Sequence, residues 1–106
     1  MSMAESGWIA AIEENKLQEN SVKLVSPKGI GVLIIRKTGN DIYAVSNKCA
    51  HMACPLRGGA LDGYILKCPC HDWRFDIRTG ELLEAKEIKI KVYKWKIIDG
   101  NIYVKL

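Results

Sequence analysis

All four cysteines and both histidines of this 106-residue chain fall between residues 49 and 71. They form a Cys-x-His group at Cys49 and His51 and a Cys-x-x-His group at Cys68 and His71, and each group follows a run that is typical of a β-strand. Two thiolates and two imidazoles from two loops are a donor set that suits either a tetrahedral zinc ion or an iron–sulfur cluster. The spacing therefore predicts a metal centre held between two loops.

Two familiar motifs fit these residues poorly. A Cys₂His₂ zinc finger places its histidines on a helix, and the sequence offers no helix there. Covalent haem attachment needs Cys-x-x-Cys-His, whereas only Pro69 separates Cys68 from Cys70. A zinc-bound structural or interaction module of another type stays open as an alternative.

The elements that must position the two groups are short strands. Turn-forming residues recur at short intervals, and the runs between them are rich in Val, Ile and Tyr, which favours an all-β sandwich or small barrel. The strand-like runs are residues 22–25, 32–36, 42–45, 64–67, 75–77, 88–98 and 102–106. Residues 12–18 are the only candidate helix, and it is short.

Three local patterns make sharper predictions. Apolar positions in the run 88–98 change phase, from Ile88 and Ile90 to Trp95 and Ile97, which predicts a bulge or twist near residues 93–94. The dipeptide Asp-Gly at residues 99–100 predicts a tight hairpin. Three glycines between the metal-binding groups, at positions 58, 59 and 63, are expected to permit a positive φ.

The two groups resemble the Rieske [2Fe-2S] signature, Cys-x-His followed by Cys-x-x-His, with sixteen residues between the groups. The similarity extends from residue 47 to residue 56 and from residue 71 to residue 80. It implies one [2Fe-2S] cluster per chain, with Cys49 and Cys68 on one iron and His51 and His71 on the other. It also implies an antiparallel β base domain with an inserted cluster-binding subdomain at about residues 45–83.

The resemblance carries further implications for the neighbouring residues. Cys54 and Cys70 occupy positions that form a disulfide between the two loops in the Rieske proteins of quinol-oxidising complexes, and we expect that disulfide here. High-potential members have hydroxyl donors at the positions of Trp73 and Phe75, and glycine is usual at the position of Asp72. Without those hydroxyls, and with an added carboxylate, the cluster is expected to have a low potential for its class.

Composition limits the setting in which such a centre works. With 48% hydrophobic and 26% charged residues, residues 1–106 are expected to form one globular domain, and no run is long enough to span a membrane. The first 16 residues lack the basic start of a secretory signal, which favours a cytoplasmic protein. The net charge of +4 is small for a nucleic-acid binder, although the lysine excess suits an acidic protein partner.

The function that the resemblance implies is that of a soluble Rieske-type ferredoxin. Such a protein takes one electron from a reductase and passes it to an acceptor, for example the terminal component of an oxygenase. We expect no catalysis in the isolated chain and no small-molecule substrate. The alternatives are a soluble Rieske domain of a respiratory or quinol-linked complex and, outside this class, the zinc-bound module.

Overall fold

A computed structural model describes residues 7–39, 41–48, 55–69 and 72–106. Within these ranges the chain forms eleven β-strands and two single 3₁₀ turns, the latter at Glu14–Lys16 and Pro27–Gly29. The strands are β1 (Trp8–Glu13), β2 (Ser21–Val25), β3 (Val32–Arg36), β4 (Ile42–Ser46), β5 (Ala60–Asp62), β6 (Ile65–Lys67), β7 (Arg74–Asp76), β8 (Glu81–Leu82), β9 (Ala85–Lys89), β10 (Val92–Ile98) and β11 (Asn101–Lys105).

The strands assemble into two antiparallel sheets, which confirms the predicted all-β fold. A six-stranded sheet has the order β1-β11-β10-β4-β3-β2, and a five-stranded sheet has the order β5-β6-β7-β8-β9. The predicted hairpin is confirmed as the β10–β11 turn, in which Ile98 pairs with Asn101. Asp99 and Gly100 there have φ values of 51° and 80°, the left-handed pair that a two-residue hairpin requires.

Strand β3 lies between two hydrophobic cores. Its first four residues, Val32, Leu33, Ile34 and Ile35, are all fully buried. Because side chains alternate along a strand, Leu33 and Ile35 pack into the core shared with the five-stranded sheet, whereas Val32 and Ile34 pack into the core of the six-stranded sheet. Strand β3 therefore contributes side chains to both cores.

The N-terminal segment does not contain the one candidate helix of the sequence. Residues 12–18 form no α-helix: β1 continues to Glu13, and a single 3₁₀ turn follows. Strand β1 pairs with β11, and its register shifts between Ala10 and Ile12, so Ala11 is an extra residue in the ladder. Strand β1 is stabilised by pairing with β11, some ninety residues away in the sequence. Its alanines have a low β-propensity, so the local sequence does not predict a strand here. Across the described ranges, no helix has the length and apolarity that a membrane crossing requires.

The run 88–98 also differs from its prediction. It is not one strand but two strands in different sheets. Within β10 the pairing partner changes at the predicted position, because Val92 and Tyr93 pair with β4 whereas residues 94–98 pair with β11. The chain crosses between the sheets at Ile90 and Lys91. The Ile90 N–H donates to the Gly80 carbonyl at 2.8 Å, and the Lys91 carbonyl accepts from the Ser46 N–H at 2.8 Å. Because the chain passes from one sheet to the other here, the apolar positions before and after the crossing do not follow one alternation.

Polar and aromatic side chains join the two sheets on one side of the molecule. The Tyr64 hydroxyl donates to the Asp41 carboxylate at 2.7 Å, and the rings of Tyr43 and Tyr64 meet edge to face with centroids 5.7 Å apart. The Arg78 guanidinium lies 4.6 Å from the Tyr64 ring centroid and pairs with Asp76 at 2.9 Å.

In the same group of residues, a hydrogen bond to Asp41 raises the pKa of Tyr43 to about 12. Tyr64 precedes β6 and Asp41 precedes β4, so these contacts lie at the strand ends opposite the predicted metal-binding loops.

Candidate metal centre

The second metal-binding group lies in the tight loop between β6 and β7. Cys68 directly follows β6, and its N–H donates to the Trp73 carbonyl at 2.7 Å. The Cys68 carbonyl accepts from the Asp72 N–H at 3.0 Å, and Asp72 has a φ of 58°. These bonds join the two ends of the loop at its base.

The thiol of Cys68 is at the inner side of this loop. Cys68 is fully buried and belongs to the same core as Leu56, Leu66 and Phe75. Leu66 and Phe75 are partners in the β6–β7 ladder, and Leu56 comes from the first loop. In the described part of the chain the thiol is free of any disulfide. Cys68 is therefore shielded from water on the protein side, and such an apolar shell controls the solvent access and the dielectric constant around a metal centre.

The residues before and after the first metal-binding group are in contact with each other. Lys48 and Pro55 form an isolated antiparallel bridge, and the Leu56 N–H donates to the Asn47 carbonyl at 2.6 Å. The Asn47 side-chain oxygen accepts from the Arg57 N–H at 2.9 Å. The described residues on either side of positions 49–54 are therefore held together, and Asn47 makes two of the hydrogen bonds that hold them.

The segment that follows the first metal-binding group contacts the end of β6 at Gly59. A β-carbon at this position would lie 2.2 Å from the Lys67 carbonyl oxygen and 3.1 Å from the Leu56 carbonyl oxygen. The expectation of a positive φ is confirmed for Gly58 and Gly63, at 119° and 61°, but it is wrong for Gly59. Gly59 is needed instead for close approach, because the backbone of the first loop passes against the end of β6, one residue before Cys68.

Only one of the four predicted metal-ligating residues, Cys68, lies within the described residues. Cys68 lies at the base of the second loop, as described above. The other predicted ligands and the predicted disulfide pair lie outside the described residues: Cys49, His51, His71, Cys54 and Cys70. Within the described ranges no three His, Cys, Asp or Glu side chains lie together as a metal site would need. The ligand set and the disulfide remain predictions.

The residues predicted to surround the cluster are all described. Phe75 is fully buried in β7, and the half-buried Trp73 lies beside it with ring centroids 6.4 Å apart. Asp72 is exposed, and its carboxylate lies 3.7 Å from the Lys67 ammonium. Lys67 therefore offsets part of the negative charge that Asp72 adds near the second loop. Sequence reasoning missed this pair, although a lysine directly before Cys68 was a visible signal.

Comparisons with known proteins agree with this arrangement. The Rieske [2Fe-2S] domain family matches residues 7–94. The ferredoxin component of the naphthalene 1,2-dioxygenase system of Pseudomonas aeruginosa is 34% identical over 93% of this chain and 95% of its own length. The anthranilate 1,2-dioxygenase ferredoxin subunit of Burkholderia cepacia is 30% identical over 97% of this chain and 94% of its own.

A solved structure extends the similarity to three dimensions. The ferredoxin of carbazole 1,9a-dioxygenase from Nocardioides aromaticivorans IC177 superposes with a TM-score of 0.82, at 26% identity, over 94% of this chain and 98% of that one. The family match, the relatives of equal length and the shared architecture agree with the two Cys/His groups of the sequence. The chain therefore belongs to the Rieske [2Fe-2S] domain family.

Proposed function

We propose that this protein is a one-electron carrier that takes an electron from a reductase and delivers it to the terminal component of an oxygenase. The observation that carries the proposal is the buried thiol of Cys68 at the base of a pinned loop, in a chain of the Rieske family. Relatives of the same length are ferredoxin components of dioxygenase systems, which supports this role.

The proposed ligands follow the two Cys/His groups. Cys49 and Cys68 bind the inner iron of a single [2Fe-2S] cluster, and His51 and His71 bind the outer iron. When bound, the cluster supplies reversible one-electron chemistry, and its neutral imidazole ligands make the added electron easier to accept than four thiolates would. The donor set fits, because the described cysteine is buried among apolar side chains and free to ligate.

The surrounding residues hold the ligands rather than react. Asn47 ties both ends of the first loop together, and Gly59 lets that loop pass against the strand that leads to Cys68. Leu56 and Phe75 exclude water from the sulfur side of the site. A site held this rigidly changes little in geometry when an electron arrives, which is what a carrier requires.

The setting of the carrier is also a proposal. We propose that residues 1–106 form a single domain with a cluster-binding subdomain at about residues 45–83, a range that contains β5 to β8 of the five-stranded sheet. We propose that the carrier works in the cytoplasm, has no substrate of its own and meets only protein partners.

Metal analysis and spectroscopy of the purified chain test the function. We expect about two iron atoms and two acid-labile sulfides per chain, a coloured protein, and a Rieske EPR signal after reduction. Cys68→Ser should lose the cluster, whereas Cys54→Ser, the same substitution at a cysteine outside the ligand set, should retain it. A colourless chain that binds zinc would contradict the proposal, as would a normal EPR signal in a Cys49→Ser, Cys68→Ser double variant.

A further inference from the structure

Basic side chains surround the roots of both metal-binding loops. Lys48 precedes the first loop, Arg57 follows it, and Lys67 precedes the second; all three side chains are exposed. They lie on one continuous surface, because Lys48 pairs with Pro55, two residues before Arg57, and Gly59 approaches the Lys67 carbonyl oxygen. We call these three residues the loop-root basic patch.

The patch is only partly neutralised. Lys67 lies 3.7 Å from the exposed Asp72 carboxylate, and the neighbouring Arg74 forms an ion pair with Glu84. Among the described residues, Lys48 and Arg57 have no ion pair. The sequence between them, residues 49–56, contains no Asp, Glu, Lys or Arg. The described surface around the loop roots therefore carries a net positive charge.

The charge is asymmetric over the molecule. Lys91 adds a further exposed cation where β10 begins, because its carbonyl accepts the Ser46 N–H at 2.8 Å, just before the first loop. Strand β10 runs from there for seven residues, roughly 20 Å, to the turn at Asp99. At that end a groove of about 500 Å³ is lined by Glu13, Glu14 and Asp99 together with Arg36. Glu13 pairs there with Lys16 at 3.8 Å and Glu14 with Arg36 at 3.3 Å. Unpaired positive charge thus lies at the loop roots, whereas charges of both signs lie together at the opposite end.

We propose that the loop-root basic patch docks an acidic surface of the redox partner, so that Asp and Glu side chains surround the partner's own redox centre. The inference rests on the proposed function, because it assumes that electrons leave through the loops. A patch of one sign beside the exit point orients the encounter and raises the association rate, and its effect decreases with salt.

Small redox reagents of opposite charge test the sign of this surface without any partner. The protein is reduced and then oxidised either by anionic ferricyanide or by cationic tris(1,10-phenanthroline)cobalt(III). In each reaction one electron leaves the protein and reduces one metal ion, from iron(III) to iron(II) or from cobalt(III) to cobalt(II). The rates are measured at about 0.01 M and about 1 M ionic strength, where the screening length falls from about 30 Å to about 3 Å.

The double variant Lys48→Glu, Arg57→Glu reverses the two unpaired charges of the patch. At low salt we expect its rate with ferricyanide to fall at least about tenfold and its rate with the cobalt complex to rise, with both changes shrinking at high salt. The double variant Lys16→Glu, Lys23→Glu is the control. It makes the same change in net charge on a 3₁₀ turn and on the edge strand β2, away from the loops.

The outcomes separate this proposal from the proposed function. A wild-type chain without the absorption of an iron–sulfur cluster would overturn the proposed function and this proposal together. If the cluster spectrum is normal but the oxidation rates change equally in the loop-root variant and in the control variant, this proposal alone would be overturned. A ferricyanide rate that drops only in the loop-root variant, with its spectrum unchanged, would support it.

Discussion

Substitution of Gly59 by alanine should separate the two loops that the proposed cluster needs together. The new β-carbon would lie 2.2 Å from the Lys67 carbonyl oxygen, whereas ordinary contacts begin near 3.4 Å, so a displacement of about 1 Å is needed. The three nearest atoms all belong to the backbone, since the others are the Leu56 carbonyl oxygen at 3.1 Å and the Lys67 carbonyl carbon at 3.2 Å. Side-chain rotation cannot relieve the overlap, and Ala60 is already paired with Lys67.

The expected loss of stability is about 3 kcal/mol, the upper part of the range for overpacking. For a domain of this size that corresponds to a fall in Tm of at least about 10 °C. Thermal unfolding and iron content per chain measure the two consequences, and we expect iron content to fall as well. Gly63→Ala is the control, because nothing lies within 4 Å of its β-carbon position and only its φ of 61° is strained, at a cost of about 1 kcal/mol. A Gly59→Ala variant with normal iron content and a Tm within a few degrees of the wild type would refute this reasoning.

Three further predictions concern other parts of the molecule. Tyr64→Phe removes the hydroxyl that donates to Asp41 at 2.7 Å and should destabilise the chain by about 1 kcal/mol in urea unfolding, with the cluster spectrum unchanged; no change in the urea midpoint would contradict it. Phe75 has no hydroxyl to donate to sulfur, so redox titration should give a midpoint below roughly 0 mV in a class that spans roughly −150 to +300 mV, and a clearly higher value would refute the argument. Alkylation of the unfolded chain without reductant, followed by mass spectrometry, should leave Cys54 and Cys70 unmodified, whereas two alkylated residues there would mean that no disulfide forms.

The pH dependence of stability should reveal the contact between Asp41 and Tyr43. The pKa of Tyr43 is raised from 10.0 to about 12 in the folded chain, chiefly by its hydrogen bond to Asp41. The contribution of this group to stability is therefore complete below pH 10 and is lost as the pH rises through about 12. Unfolding free energy measured between pH 9 and 12 should decline in the wild type and decline less in Tyr43→Phe. Equal declines in the two proteins would contradict the assignment.

Much of the chemistry of this protein could be predicted from residues that are close in sequence. Cysteine and histidine at two short spacings specify a donor set, and a donor set restricts the metal centre before any fold is known. The Asp99-Gly100 turn was equally predictable, because the backbone conformation that it needs is a property of those two residues alone. The all-β class followed from alternation and turn residues for the same reason.

Other features were decided only by residues far apart in the chain. Strand β1 exists because β11 offers it a partner, and the chain crosses between sheets at Ile90 because Gly80 and Ser46 supply hydrogen bonds there. The need for Gly59 comes from the Lys67 carbonyl oxygen, which no local pattern places against it. Pairing, burial and close approach depend on which distant segments meet. A single sequence therefore identified the chemistry of this protein, whereas the tertiary structure decided how its loops are held and which charges surround them.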